Sequence, residues 1–180
     1  MSAGPSPGSG ASTEVLVALG SNLGDRMAYL REAVQAMAGV MTITDVSSVV
    51  EGRAEGLPEE EAPDFLNAVL RGRTDLGPGE LLEACHAAEA DAGRPPDRPA
   101  ESRTLDVDIL FFGDRVFRKE DLQVPHPRWK QRGFVLRPLL EVAPEWTDPV
   151  SGETVEAVCD RHGHLLSRVW VVAPGESLYP

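Results

Sequence analysis

Apolar residues along this chain switch between a period of two and a period of 3.6, and the order of the switches leaves few folds open. "EVLVALG" (14–20) is a short, nearly continuous apolar run, the pattern of a strand buried on both faces. "SNLGDR" turns the chain, and Met27, Leu30, Val34 and Met37 then recur at helical spacing up to Gly39. "VMTITDVSSVVEG" (40–52) is β-branched and alternating and reads as a second strand, and "DFLNAVLRGRT" (64–74) as a third. These two form a hairpin with a long acidic connection. Leu81, Cys85, Ala88 and Ala92 make one stripe of a second helix that opens near Pro78 and ends at Gly93. "RTLDVDILFFGD" (103–114) is the fourth strand.

The resulting order, β-α-β-β-α-β, is the split βαβ arrangement of ferredoxin-like folds. It predicts an α/β sandwich of the α+β class, with a mainly antiparallel sheet, both helices on one face and the active site on the other. "FVLRPLLEVAP" (134–144) reads as a further helix, Pro138 falling within or just after its first turn, where backbone N–H groups lack intrahelical partners anyway. "ETVEAVCDRHG" (153–163) is a last short helix, the final "PGESLYP" reads as tail, and nothing beyond 164 carries a readable function. With 180 residues, 42% of them hydrophobic, the chain suits one domain over 13–180. Residues 1–12, small, polar and rich in Pro and Gly, read as a disordered tail.

Charge narrows the partners. A net charge of −12 disfavours a nucleic-acid partner held by general phosphate attraction, and no apolar run is long enough to cross a membrane. Yet seven of the 17 basic residues fall in two windows: Arg94, Arg98 and Arg103, then Arg128, Lys130, Arg132 and Arg137. Such clusters suit a small polyanion, or are simply solvated surface arginines. Cys85 and Cys159 match no metal-ligand spacing, which fits a reduced cytoplasmic protein without a disulfide.

In the fourth strand Leu105, Val107, Ile109 and Phe111 share one face and Asp106, Asp108 and Leu110 the other. The apolar set is expected under the helices, which leaves two carboxylates roughly 6 to 7 Å apart on the open face. Either they are solvated, or they hold Mg²⁺ while leaving most of its coordination positions to phosphate oxygens and water. Phe65 and Asn67, on one face of the third strand, are either a core ring with a turn-adjacent amide or a cradle for a flat heterocycle. Glu89 and His86 lie on a second stripe of the second helix with Leu82; Glu89 is expected to pair with an arginine or to contact a ligand. In "GSNLGDR" (20–26) Asn22 and Asp25 read as turn and helix-capping residues, since the ending of a phosphate-binding loop is missing.

Four segments, "ALGSNLGDR", "DFLNAV", "SRTLDVDILFFGD" and "VPHPRWKQRGFVLRPLLEVAP", resemble in order and separation the 6-hydroxymethyl-7,8-dihydropterin pyrophosphokinases of folate biosynthesis. The resemblance covers roughly residues 14 to 163. It implies transfer of the terminal pyrophosphoryl group of ATP to the pterin hydroxymethyl oxygen, with release of AMP, by a monomer acting on small molecules. Asp106 and Asp108 then match the ligands of two Mg²⁺ ions and count among the catalytic residues with Arg94 and Arg103. Phe65, Asn67 and Phe134 match the pterin site. Glu89, Ile109, His126 and Arg132 match nucleotide contacts, as do Arg94 and Arg103.

The chain also departs from that family. "RPPDRPAESR" is a residue shorter than the family loop, puts Pro96 where a further arginine belongs and lacks the tryptophan that closes on the substrates; Arg98 is expected to reach the same phosphate from a shifted position. Asp121 and Gln123 replace an arginine and a threonine, and His86 a glutamine. An active pyrophosphokinase is therefore the first expectation. A paralogue that binds nucleotide or pterin with little turnover, or a magnesium-dependent phosphohydrolase, are the rivals.

Overall fold

The computed structural model describes residues 12–52, 64–93, 104–119 and 121–179. Strand β1 (Thr13–Ser21) is central, flanked by β4 (Phe65–Thr74) on one side and β5 (Asp106–Phe112) on the other. Strands β2 (Thr42–Val46) and β3 (Val49–Gly52) both pair with β4, and β8 (Val169–Ala173) closes the far edge against β3. Every pairing in this sheet is antiparallel. A separate hairpin joins β6 (Phe117–Arg118) to β7 (Gln123–Val124). The expected ferredoxin-like order is present, with three local differences.

The expected second strand is broken at Ser47. Its backbone N–H donates to the Val69 carbonyl, and its hydroxyl oxygen accepts from the Val69 N–H, so a side chain takes the place of one ladder acceptor. The C-terminal stretch is not a loose tail. Besides supplying β8, it ends in a 3-10 turn (Gly175–Leu178) that buries Leu178 completely. Arg31 Nε donates to the Ser177 carbonyl at 2.8 Å, tying that turn to helix α1 (Arg26–Ala38). A single apolar residue in a polar, Gly/Pro-containing segment carries too little periodicity to be recognised as an anchor.

The third difference concerns the faces of the sheet. Helices α1 and α2 (Pro78–Asp91) cover one face, where Val15, Val17, Leu19, Leu66, Leu70, Leu105, Val107 and Ile109 meet Leu30, Val34, Met37, Leu81 and Cys85. The other face is not wholly open: α3 (Gly133–Val142) and α4 (Val155–Arg161), followed by the short α5 (Gly163–Leu166), build a second core over part of it. Phe111, expected with Ile109 under α1 and α2, belongs to this second core. The register places Val17 opposite Ile109 but Leu16 opposite Phe111, so Leu110 is an extra residue. Such a bulge reverses the alternation beyond it. Phe111 is fully buried, edge-on to Trp129 at 5.1 Å between ring centroids and tilted against Trp146 at 5.8 Å.

Pro138 lies in the second turn of α3, later than the first-turn position its chemistry favours. It is buried, and that burial offsets part of the cost of the lost backbone hydrogen bond to the Phe134 carbonyl. Cys85 and Cys159 are both buried and unbridged, one in each core, so the sheet separates them. Burial pushes the Cys85 thiol up to about 12 and the Cys159 thiol up to about 11, which makes both poor nucleophiles.

Replacing Phe111 by alanine is expected to cost about 3–5 kcal/mol in urea unfolding, because the vacated volume is ringed by aromatic side chains that cannot all collapse into it. A loss below about 1 kcal/mol would show that the ring does not face the second core.

Candidate active site

Beyond the second core, at one end of the α3 face of the sheet, lies a cross-strand row. Gly20 of β1 is registered opposite Asn67 of β4 on one side and Asp106 of β5 on the other. One step along, Ala18 is registered opposite Val69 and Asp108. Side chains at these positions share a face, so Asn67 and Asp106 stand two strand spacings apart, roughly 10 Å. The floor between them is a glycine.

Next to Asn67, Phe65 is registered opposite Gly52 of β3. A Cβ built on Gly52 would lie 3.6 Å from the Phe134 Cβ, so Phe134, at the start of α3, overhangs the end of β3. Among the described residues no ring contact joins Phe65 to Phe134. Both rings are half-buried, and Asn67 is buried at 6% exposure. Two aromatic faces and a buried amide bordering one gap suit a flat, hydrogen-bonding heterocycle. Arg26 fastens the adjoining backbone: one Nη1 donates to Glu51 at 2.7 Å and to the Asp64 carbonyl at 2.6 Å, joining the ends of β3 and β4.

Asp106 and Asp108 also face outward, toward a cavity of about 370 Å³ on the open edge of β5. Leu82, His86 and Glu89 of α2, Ile109, and the 121–127 segment complete its walls. Glu89 is 5% exposed, and its Oε1 accepts the outward Val107 N–H at 2.9 Å, satisfying an edge donor that no strand pairs. Farther along the edge the His126 N–H donates to the Leu110 carbonyl at 3.0 Å. Between these two clamps, strand alternation turns the Ile109 N–H and the Val107 carbonyl toward the cavity. An edge of this kind can read a planar base through backbone groups alone. A larger cavity, about 630 Å³, lies beyond His126 among Phe117, Arg118, Trp129 and Lys130, but touches neither aspartate.

Positive charge approaches the carboxylates from α3. Arg132 Nη1 stands 3.7 Å from Asp108 Oδ2, and its guanidinium lies 5.6 Å from the centre of the Phe134 ring, bridging the two halves of the site. His126 Nε2 is 3.8 Å from the same Asp108 oxygen. That contact is not an ion pair at neutral pH. Burial, then the charges of Arg132 and Arg128, hold the imidazole down at about 4, against an upward pull from Asp106. Its Nδ1 accepts the Arg128 N–H at 3.2 Å, which assigns the ring proton to Nε2, pointing toward Asp108.

Among the described residues no group of three or more His, Cys, Asp or Glu side chains surrounds one point. Two carboxylates on one strand face, with no third described acidic, His or Cys side chain converging with them on one point, suit a cation that keeps most of its coordination sphere for ligand oxygens and water, as Mg²⁺ does, better than a dedicated protein cage. The structure thus brings together Asp106, Asp108, Phe65, Asn67, Phe134, Glu89, Ile109, His126 and Arg132. Arg94, Arg98, Arg103 and the Pro96 departure lie outside the described residues, as does most of the acidic loop before β4. Gly20, Ala18 and the edge donors of β5 were not anticipated. Reading β1 as ending at Gly20 hid that glycine's place inside the strand; a glycine within a strand is itself the signal of a close approach.

The profile of the 7,8-dihydro-6-hydroxymethylpterin-pyrophosphokinase (HPPK) family matches residues 16–144, more than half of the chain. The chain belongs to this family. A 2-amino-4-hydroxy-6-hydroxymethyldihydropteridine pyrophosphokinase of Synechocystis sp. is 38% identical over 91% of this chain and 82% of its own length. The protein of the same name from Bacillus subtilis is 40% identical over 86% and 88%. The Arabidopsis thaliana mitochondrial folate synthesis bifunctional protein is 37% identical over 92% of this chain, which spans only 29% of that longer protein. A crystal structure of wild-type Plasmodium falciparum HPPK-DHPS shares the fold of this HPPK chain, with a TM-score of 0.65 at 13% identity over 84% of this chain and 45% of that one. The matched span contains every described site residue of this HPPK-family member.

Because His126 is neutral when folded but has an ordinary value of 6.5 when unfolded, its contribution to stability is complete above pH 6.5 and is lost as pH falls toward about 4. In metal-free protein, His126→Asn is expected to remove that part of the decline. The gap in unfolding free energy between wild type and variant should shrink from pH 7 to pH 4; a constant gap would mean that the ring titrates normally.

Proposed function

We infer that this chain transfers the pyrophosphoryl group of ATP to the hydroxymethyl oxygen of 6-hydroxymethyl-7,8-dihydropterin, giving AMP and the pterin diphosphate, a step of folate biosynthesis. Family membership carries the reaction. The observation that carries its placement is the position of Asp106 and Asp108 at the junction of two spaces: the edge cavity beside Ile109, and the row that leads through Gly20 to Asn67.

In this reading ATP lies along the β5 edge, its base against the Ile109 N–H and the Val107 carbonyl and its phosphates running inward past His126 toward the two aspartates. The pterin lies between Phe65 and Phe134, with Asn67 pairing its polar edge. The acceptor oxygen attacks the β-phosphorus, the bond from that phosphorus to the oxygen it shares with the α-phosphate breaks, AMP carries away the bond's electron pair, and the acceptor hydroxyl loses its proton. Little of this needs covalent help from the protein; positioning and charge stabilisation do most of it. Asp106 and Asp108 would hold two Mg²⁺ ions, which when bound neutralise phosphate charge. Neutral His126 offers a hydrogen-bond donor at Nε2 on the phosphate side, and Arg132 adds a fixed positive charge between the two substrates. Arg94, Arg98 and Arg103 are proposed to meet the phosphates, on the strength of the family resemblance. Both subsites come from one chain, which supports a monomer, and the two buried, unbridged cysteines agree with a reducing cytoplasm.

A coupled assay of AMP formation with hydroxymethyldihydropterin, ATP and Mg²⁺ tests the reading directly. Binding of an ATP analogue without AMP would turn the chain into a nucleotide-binding relative, and phosphate release without pterin would make it a phosphohydrolase. Asp106→Ala and Asp108→Ala should each lower turnover on the order of 10²–10³-fold or more, with the far-ultraviolet circular dichroism unchanged. Full activity in either variant would rule out the metal assignment. Asn67→Ala should raise the KM for pterin while leaving that for ATP alone; equal damage to both would point to a folding role.

A further inference from the structure

Gly20 occupies the middle of the row from Asn67 to Asp106, and its backbone does not require glycine. It lies inside β1 with no positive φ, unlike Gly24, Gly93, Gly113 and Gly152. Within a strand a glycine weakens the sheet, because it packs nothing and loses the most freedom on folding. A residue kept there against local preference points to a need for space. The space is well defined. A Cβ at position 20 would lie 3.1 Å from Asn67 Oδ1, 3.6 Å from Phe65 Cδ1 and 3.9 Å from Asp106 Cβ. One methyl group would therefore touch the pterin-side amide, the pterin-side ring and the root of a carboxylate at once.

We propose that Gly20 is a positioning residue, whose missing side chain lets the Asn67 amide and the Phe65 ring settle against the strand floor and so sets the height and angle from which the acceptor's hydroxymethyl arm reaches toward the phosphorus above Asp106. The inference rests on the proposed pyrophosphoryl transfer. Asn67 and Asp106 are separated by two strand spacings, roughly 10 Å, so the acceptor held by Asn67 and Phe65 must direct its arm across part of that span. A side chain at position 20 displaces the amide or tilts the ring, and either motion turns the acceptor and moves the attacking oxygen off the line to the phosphorus. Ala18, one step along the ladder, lies opposite Asp108 and Val69, where the second core begins, so a methyl group is tolerated beside it. The edge cavity that would take the nucleotide lies on the other side of β5 and does not include Gly20.

The test is Gly20→Ala, with Gly79→Ala as a control, because a Cβ at Gly79 meets nothing within 4 Å. A displacement of about 1 Å at a reacting centre costs on the order of 10²-fold. Gly20→Ala is therefore expected to lose about that much in kcat/KM for hydroxymethyldihydropterin, while the calorimetric Kd for an ATP analogue with Mg²⁺ stays within about twofold and the far-ultraviolet circular dichroism is unchanged. Unchanged pterin kinetics in a folded variant would overturn the proposal, as would equal weakening of both substrates. Should Gly20→Ala not fold, Asn67→Ser relieves the 3.1 Å contact, and Gly20→Ala in that background is compared with Asn67→Ser alone under the same criteria. If the wild-type chain itself forms no AMP, the assigned reaction fails. If wild type and Gly20→Ala turn over alike, only the role of Gly20 fails.

Discussion

The register of β1 between its two neighbours is the constraint on which the site depends. An antiparallel ladder aligns residues across strands to within a fraction of an ångström, and here it sets Asn67, Gly20 and Asp106 in one line and Val69, Ala18 and Asp108 in the next. A slip of one residue between β1 and β5 would send Asp106 and Asp108 under α1 and α2, among Leu30, Leu81 and Cys85, and a slip between β1 and β4 would do the same to Asn67. Two unpaired carboxylates buried there would cost far more than the sheet could return. The apolar set of β5 therefore enforces the placement of its acidic set.

A sheet with cores on both faces also makes a rigid platform. Phe111, turned over by the bulge at Leu110, wedges against Trp129 and Trp146, and the same helical layer carries Arg132 and Phe134 to the border of the row from Asn67 to Asp106. The bulge therefore does two jobs: it fills the second core and stops the open face at the point where chemistry needs it. Charge is arranged with equal economy. Asp108 looks toward Arg132 at 3.7 Å and toward the protonated nitrogen of a neutral His126 at 3.8 Å, so cationic and dipolar neighbours both face that carboxylate.

Much of this was legible from residue order. Element sequence, helix stripes, the capping role of Asp25, whose side chain accepts from the Ala28 N–H, and the outward pair Asp106 and Asp108 all follow from periods of two and 3.6 and from local capping chemistry. Those rules act over a few residues, so a linear reading can apply them. The break at Ser47, the anchoring of Leu178 and the turning of Phe111 each depend on partners far away in the chain: Val69, α1, and the aromatic layer around α3. Periodicity holds no record of them.

The amino-acid order alone was sufficient for the fold class, the family and most of the side chains that border the candidate site, since local periodicity and family motifs are written along the chain. Which of those groups meet, and across what gap, was settled by long-range strand pairing. Gly20 shows the difference most simply: as a letter it reads as the end of a strand, and it becomes the floor between an amide and a carboxylate only when β4 and β5 close in on either side.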